Sequence, residues 1–423
     1  MRSLYTLILY LLTPFALLRL LWRGLRSPGY WQRWGERFGF IPAEAGAAPI
    51  WVHAVSVGEV QAAAPLLRAL MKQYPDVPLL VTTTTPTGSE QVRSLFESRV
   101  AHVYMPYDLP GAVARFLKRA RPRLALIMET EIWPNLYHAC ARGGIPVLLV
   151  NARLSARSAA GYARVRGLTS TTLRCLPWIP AQSRADAERL IVLGAPAERV
   201  QVTGSIKFDM KIPASLTEQA AVLRRDWGVQ RPVWVAASTH EGEEDAALDA
   251  HALVRARHRD ALLILVPRHP QRFEAVRALL RRRGLRFAQR SGGQPPGPDD
   301  AVFLVDTLGE LQMFYAAADV AFVAGSLVPV GGHSLLEPAV LGLPMLSGPH
   351  NHNAQDVADL FEQCGALRIV RSKEDLAQRT CDWFDDPARG RADGERGRQA
   401  VAQSRGAVTR LVAMVAPLLS RPA

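Results

Sequence analysis

The chain has 423 residues, 48% of them hydrophobic and 21% charged, which is enough for two globular cores and too long for one. Its 51 Lys plus Arg against 38 Asp plus Glu leave a net +13, which points to acidic partners: nucleic acid, anionic lipid or phosphorylated substrates. The four cysteines, Cys140, Cys175, Cys364 and Cys381, are scattered without a C-x-x-C, which argues against a disulfide framework or a cysteine metal site and fits a reducing compartment.

Leu4 to Leu18 is almost wholly apolar, and Leu20, Leu21 and Trp22 extend the run past Arg19. A helix of about 20 residues reaches across a hydrocarbon layer of ~30 Å, with Arg19 free to snorkel. Pro14 predicts a kink. Arg19, Arg23, Arg26, Arg33 and Arg37 follow the segment and only Arg2 precedes it, so the positive-inside tendency puts the body in the cytoplasm. A signal peptide would need a small-residue cleavage site and the opposite charge flank. Residues 1–25 are therefore expected to anchor the chain in a membrane, and the sequence leaves open whether they span it or lie in its interface.

Beyond the anchor, short apolar runs alternate with amphipathic stretches. Strands are expected at Ile50 to Val55, Leu79 to Thr83, Val100 to Tyr104, Leu124 to Met128, Pro146 to Val150 and Val200 to Thr203, with helices between them. The pattern restarts after Lys207-Phe208, with strands at Val233 to Ala237, Leu262 to Val266, Val302 to Val305, Val320 to Ala324 and Pro344 to Leu346. Ser291 to Asp300 is a surface loop inside that second half. The expectation is an α/β protein with two Rossmann-like domains, 26–206 and 207–423, facing a cleft at the carboxyl ends of their strands.

Charged and polar residues collect at those strand ends. In the first half, HAVSVGE carries a strand into a helix whose first turn holds Glu59, a candidate general base, although Ser56 to Glu59 also reads as a capping box. Glu129-Thr130-Glu131 follows another strand, and two carboxylates beside a buried run exceed what capping needs. In the second half, STHEGEE and PRHP end two strands, the latter offering Arg268 and His269 to a phosphate. Asp306 to Leu311 ends a third and is again T-x-x-E. The segment GSLVPVGGHSLLEP reads as a strand end, a glycine turn and a helix N-terminus closed by Glu337, suited to an anion and vicinal hydroxyls, or as an S-x-x-E capping box alone. Gly331 and Gly332 would let the backbone approach a ligand closely. His350 and His352 form an H-x-H with no third ligand in sequence, so no metal is expected.

These segments carry a resemblance. HAVSVGE, TTTTPTGSE, YMPYDLP, METEIWPN, NARLSARSAAGY, VTGSIKFDM, STHEGEE, LVPRHPQRF and GGHSLLEP, in this order after an arginine-flanked apolar segment and WGERFGF, resemble the bacterial 3-deoxy-D-manno-oct-2-ulosonic acid (Kdo) transferases of lipid A assembly. The resemblance runs from about residue 4 to beyond 355. It implies a GT-B glycosyltransferase that moves Kdo from CMP-Kdo to a phosphorylated lipid A precursor with inversion. It also implies the cytoplasmic face of the inner membrane and no metal or other cofactor. By the same resemblance Glu59 is the proton acceptor, and Glu129 and Lys207 stabilise the transition state. Arg268, His269, Gly309, Glu310, Leu311, Ser334, Leu335, Leu336 and Glu337 contact CMP. Ser334 stands where Asn is also usual in the family, and either residue caps a helix.

Two other classes fit less well. A nucleic-acid binder would also be basic, but aromatic residues make up only 7% and do not interleave with the arginines. A dinucleotide oxidoreductase would share the architecture, yet no G-x-G-x-x-G opens the first half. Within the enzymes, another membrane-associated GT-B transferase with a different activated sugar is the alternative.

Overall fold

The structure, a computed structural model, describes residues 1–42, 48–210 and 212–419, without the side chains of Arg26 and Ala214. It divides into two compact units: Met1–Asp209 with Arg405–Ala423, and Met210–Ser404.

Unit 1 opens with α1 (Arg2–Arg26), one uninterrupted helix. Pro14 lies inside it, and Thr13 Oγ1 donates to the Leu9 carbonyl at 2.7 Å. The sheet and its helices follow in the order β1 (Ile50–His53), α2 (Val57–Gln73), β2 (Leu79–Thr83), α3 (Pro86–Phe96), β3 (Ala101–Tyr104), α4 (Pro110–Ala120), β4 (Leu124–Met128), α5 (Pro134–Arg142) and β5 (Val147–Val150). After them come α6 (Ala156–Ala163), α7 (Arg166–Leu173), β6 (Ile179–Ala181), α8 (Arg184–Val192) and β7 (Val200–Val202). The five main strands are parallel in the order β3-β2-β1-β4-β5, with Ile50 paired to both Leu79 and Leu124. Their residues are apolar without alternation because helices cover both faces. Ile50, Val52, Leu124 and Leu126 pack toward α2, whereas Trp51, Ala125 and Ile127 pack with Phe116 of α4 and Tyr137 of α5.

Unit 2 contains α9 (Ala214–Trp227), β8 (Val233–Thr239), α10 (Glu243–Arg257), β9 (Leu262–Pro267), α11 (Phe273–Arg282), β10 (Phe287–Gln289), β11 (Val302–Leu304), α12 (Leu311–Ala317) and β12 (Val320–Val323). It continues with α13 (Leu336–Val340), β13 (Met345–Ser347), α14 (Gln355–Gln363), β14 (Leu367–Ile369), α15 (Lys373–Asp385) and α16 (Pro387–Ser404). Its seven strands are parallel in the order β10-β11-β9-β8-β12-β13-β14. Alternate residues again serve opposite faces: Trp234 and Ala236 pack toward α10, and Val233 and Val235 toward α9 and α12.

The division departs from the sequence expectation in two places. Lys207 belongs to unit 1, because Ile206 is buried in its core and the Ile206 N–H donates to Asn151 Oδ1 at 3.1 Å. The chain's last helix, α17 (Ala407–Leu419), returns to unit 1 and is not part of a domain running to 423. Asp209 caps it by accepting from the Gly406 and Val408 N–H groups at 2.7 and 2.6 Å, and Ala407, Leu411, Val415 and Leu418 join the core beneath α2.

Candidate active site

In unit 1 the chemistry gathers where strand order reverses, between β1 and β4. After His53 the chain turns into α2, which carries Glu59 in its first turn. The capping box does not form, since neither of its two reciprocal bonds is made. Ser56 is the N-cap but its side chain makes no cap bond, while Glu59 Oε2 accepts the Val55 N–H at 2.8 Å. Oε1 has no hydrogen-bond donor among the described residues.

Glu129, just past β4, has φ of 55°, a left-handed conformation that side chains adopt only when their surroundings hold them. Two contacts do so. Its N–H donates to the Val150 carbonyl at 3.0 Å, and its Oε1 lies 3.1 Å from Lys207 Nζ. Glu131 Oε2 accepts from Trp133 Nε1 at 2.9 Å, the Glu131 carbonyl accepts from the Tyr137 hydroxyl, and the Thr130 carbonyl accepts from Tyr162 at 3.3 Å. The loop between β4 and α5 is thus fastened from α5 and α6.

Three carboxylates and one ammonium set the electrostatics. Burial pushes the Glu59 carboxyl up to about 7, the Val55 N–H pulls it down, Glu129 and Glu131 push it up again, and Lys207 pulls it down. Burial also raises Glu131. His53 is fully buried and pushed down to about 4, so it is a neutral imidazole at physiological pH. A carboxyl that titrates near neutrality can take up and release a proton under working conditions.

In unit 2 the matching reversal lies between β8 and β12. Glu243, fully buried at the start of α10, ties the two strand ends together. Its Oε2 accepts from the N–H groups of His240 at 3.0 Å and Gly325 at 2.7 Å, and its Oε1 from those of Ser326 and Leu327, both at 3.0 Å. Above this brace His240 Nε2 lies 2.8 Å from His333 Nε2 with the rings stacked at 5.1 Å, and His269 meets His240 edge-on at 5.4 Å. Burial lowers both members of the pair, His333 to about 4, and the Arg268 charge lowers them further. Arg268 is exposed at the end of β9 and forms no side-chain hydrogen bond or ion pair among the described residues. Burial raises the Glu337 carboxyl, and the Gln312 amide and the Arg268 charge offset only part of that rise.

Several expected features take a different form. The Gly331 and Gly332 N–H groups are not available to a ligand, since both donate to the Gly325 carbonyl at 3.0 and 2.7 Å. A β-carbon at Gly331 would meet Asn353 Nδ2 at 2.4 Å and one at Gly332 would meet Asn351 Oδ1 at 2.5 Å, so these glycines admit the 350–353 segment. Ser334 to Glu337 forms no capping box: α13 starts at Leu336, with Leu335 at the N-cap and no side-chain cap bond. The Glu310 carboxylate is held by Arg290 at 2.6 and 3.1 Å and by Thr307, which leaves only the backbone of Gly309, Glu310 and Leu311 to meet a ligand. Among the described residues no group of three His, Cys, Asp or Glu is placed to hold a metal ion, His350 and His352 included. A cavity of about 360 Å³ lined by Ala159, Ala163, Arg189 and Leu193 touches none of these groups.

The residues without a role in the sequence reading are Glu243, His240 and His333. Glu243 stood in view within STHEGEE, but an acid at a helix start reads as an ordinary dipole partner. Its bonds to Gly325, Ser326 and Leu327 join segments more than 80 positions apart, and no local pattern encodes that.

Residues 32–210 match the family model described as 3-deoxy-D-manno-octulosonic-acid transferase (kdotransferase). The chain is 38% identical over 423 residues to a 3-deoxy-D-manno-octulosonic acid transferase of Haemophilus influenzae, covering 99% of each. It is 40% identical over 428 residues to one of Bordetella pertussis, covering 97% of each. In fold it is similar to a glycosyltransferase from Rickettsia africae, with a TM-score of 0.58 at 12% identity over 89% of this chain and 100% of that one.

Proposed function

This chain belongs to the family of 3-deoxy-D-manno-octulosonic acid transferases, glycosyltransferases of the GT-B fold class, and from that premise we propose how its residues carry out the transfer. The donor is CMP-Kdo and the acceptor a phosphorylated lipid A precursor, lipid IVA, at the cytoplasmic face of the inner membrane. Glu59 takes the proton of an acceptor glucosamine hydroxyl as that oxygen bonds to the ketosidic carbon of Kdo. The bond from that carbon to the CMP phosphate oxygen breaks on the opposite face, so configuration inverts and CMP leaves carrying the electron pair. Glu129 and Lys207 form the charge pair that stabilises the transition state. Arg268 meets the developing phosphate charge, with His269, the backbone of Gly309, Glu310 and Leu311, and the segment Ser334, Leu335, Leu336 and Glu337 around the nucleotide. Glu337 accepts from the ribose hydroxyls. These side chains need no metal to perform these steps.

One observation carries the assignment: Glu59 stands at the switch point of its sheet with one oxygen held by the backbone, the other open and its carboxyl at about 7. The basic excess of +13 suits an acceptor with phosphates and an anionic membrane. The test is transfer by the full-length protein from CMP-Kdo to a defined precursor, beside thermal shifts with CMP, UDP and ADP. Kdo transfer with stabilisation by CMP alone is expected. Stabilisation by UDP or ADP, with no transfer from CMP-Kdo, would turn the assignment to another activated sugar.

A further inference from the structure

Helix α1 is fastened to unit 1 near both of its ends. At the start, the Tyr5 hydroxyl donates to Asp108 Oδ2 at 3.0 Å and Thr6 Oγ1 lies 3.0 Å from Asn135 Nδ2, while Met1 lies against Gly167 at the start of α7. Asp108 and Asn135 are themselves buried, with Asp108 accepting from the first N–H groups of α5 at 2.9 and 2.7 Å. At the far end Leu20 is buried, and Trp31 lies over Gly24, where a β-carbon would meet its indole at 1.8 Å. Trp31 Nε1 also donates to the Leu21 carbonyl at 3.1 Å, and neighbouring Gly29 sits against Pro86 of α3.

Tyr5 and Gly24 are roughly 28 Å apart along a helix that rises ~1.5 Å per residue, nearly the ~30 Å of a hydrocarbon layer. If α1 crossed a bilayer, either Tyr5 and Thr6 would abandon their partners, or Asp108 and the start of α5 would enter hydrocarbon with them. The outward stripe, Leu4, Leu7, Leu11, Phe15, Leu18 and Trp22 at spacings of three and four, is more than half exposed at every position. No acidic residue lies between Arg2 and Arg26. Beside the Met1 end, exposed Arg164 and Arg166 flank Val165, which is 48% exposed.

We infer that α1 lies flat in the interface of an anionic bilayer with both ends on the same side, held to unit 1 at those two ends and with its outward stripe at the acyl boundary. The arginines along and beside it meet the headgroup phosphates. The inference takes from the proposed function only that a bilayer is present.

The test uses full-length protein with Cys175→Ser and Cys364→Ser as background, since Cys140 and Cys381 are buried. It is reconstituted on vesicles of phosphatidylethanolamine and phosphatidylglycerol. Ser3→Cys and, as a control on an exposed loop, Ser291→Cys are treated from outside with a membrane-impermeant maleimide. Equal labelling of the two, within about twofold, is expected. Labelling of Ser3→Cys only after detergent, or protein that does not float with vesicles and pairs through this helix instead, would overturn the inference. Kdo transfer on the same vesicles separates the two claims: active protein with a protected Ser3→Cys defeats the flat helix alone, and inactive protein with a labelled Ser3→Cys defeats the catalytic assignment alone.

Discussion

Lys207 Nζ lies 3.1 Å from Glu129 Oε1, and the two charges act on Glu59 in opposite directions, Glu129 raising its carboxyl and Lys207 lowering it. Burial sets most of the pH at which Glu59 becomes a base, and the pair adjusts it in either direction.

Wild-type kcat/KM is expected to fall about tenfold per pH unit below the Glu59 value of about 7, because only the carboxylate accepts a proton. Lys207→Met removes the cation and should move that acid limb to higher pH, whereas Glu129→Gln removes an anion and should move it lower. Lys207→Arg should restore most of the wild-type position. Limbs that stay fixed in both variants would detach the pair from Glu59.

Stability should carry the same signature with a definite sign. The Glu59 carboxyl sits at about 7 in the folded chain against an ordinary 4.5, so the folded state binds the proton more tightly. The stability this gives is present at low pH and lost as pH rises toward and past about 7, where the charge is held against burial. Glu59→Gln, neutral throughout, should therefore melt above wild type by roughly 2 to 4 °C near pH 8 and alike near pH 4. Calorimetry across that range decides it, and a difference independent of pH would mean that burial does not strain the charged form.

Glu243 accepts four backbone N–H groups from a fully buried position. Glu243→Ala leaves those donors without partners and should cost about 3 to 5 kcal/mol, read by chemical denaturation. A loss under about 1 kcal/mol would show that the strand-end loops hold each other without it.

Glu337 makes no cap bond, so its loss should register in binding and not in helix stability. Glu337→Ala should raise the CMP-Kdo KM by roughly tenfold to a hundredfold if it accepts from ribose, since bonds to a charged acceptor contribute about 1.5 to 3 kcal/mol. Initial-rate kinetics measure this, and an unchanged KM with a lower melting temperature would return Glu337 to a structural role.

The long buried strands were legible because parallel sheets covered on both faces leave uninterrupted apolar runs, as at Leu124–Met128 and Leu262–Pro267. The strands β6, β10 and β14 were not: Pro180 interrupts the first, and the other two are only partly buried and carry Gln289 and Arg368, so none leaves an apolar run. Glu59, Glu129 and Arg268 could be picked out from their positions at strand ends. What the glycines of GSLVPVGGHSLLEP do was hidden, because their neighbours Asn351 and Asn353 arrive from about 20 residues downstream. The return of α17 was equally hidden: its apolar stripe says that it packs, and only the Asp209 cap and the α2 face say where.

The most direct measurement is turnover of Glu59→Gln on a defined lipid acceptor. Gln keeps a side-chain oxygen for the Val55 N–H and cannot take a proton. The variant should fold and bind CMP like wild type yet lose on the order of 10² to 10⁴ in kcat, the usual contribution of a positioned general base. Turnover within about threefold of wild type, on folded protein that binds CMP, would contradict Glu59 as the base and direct attention to Glu129 or Glu131.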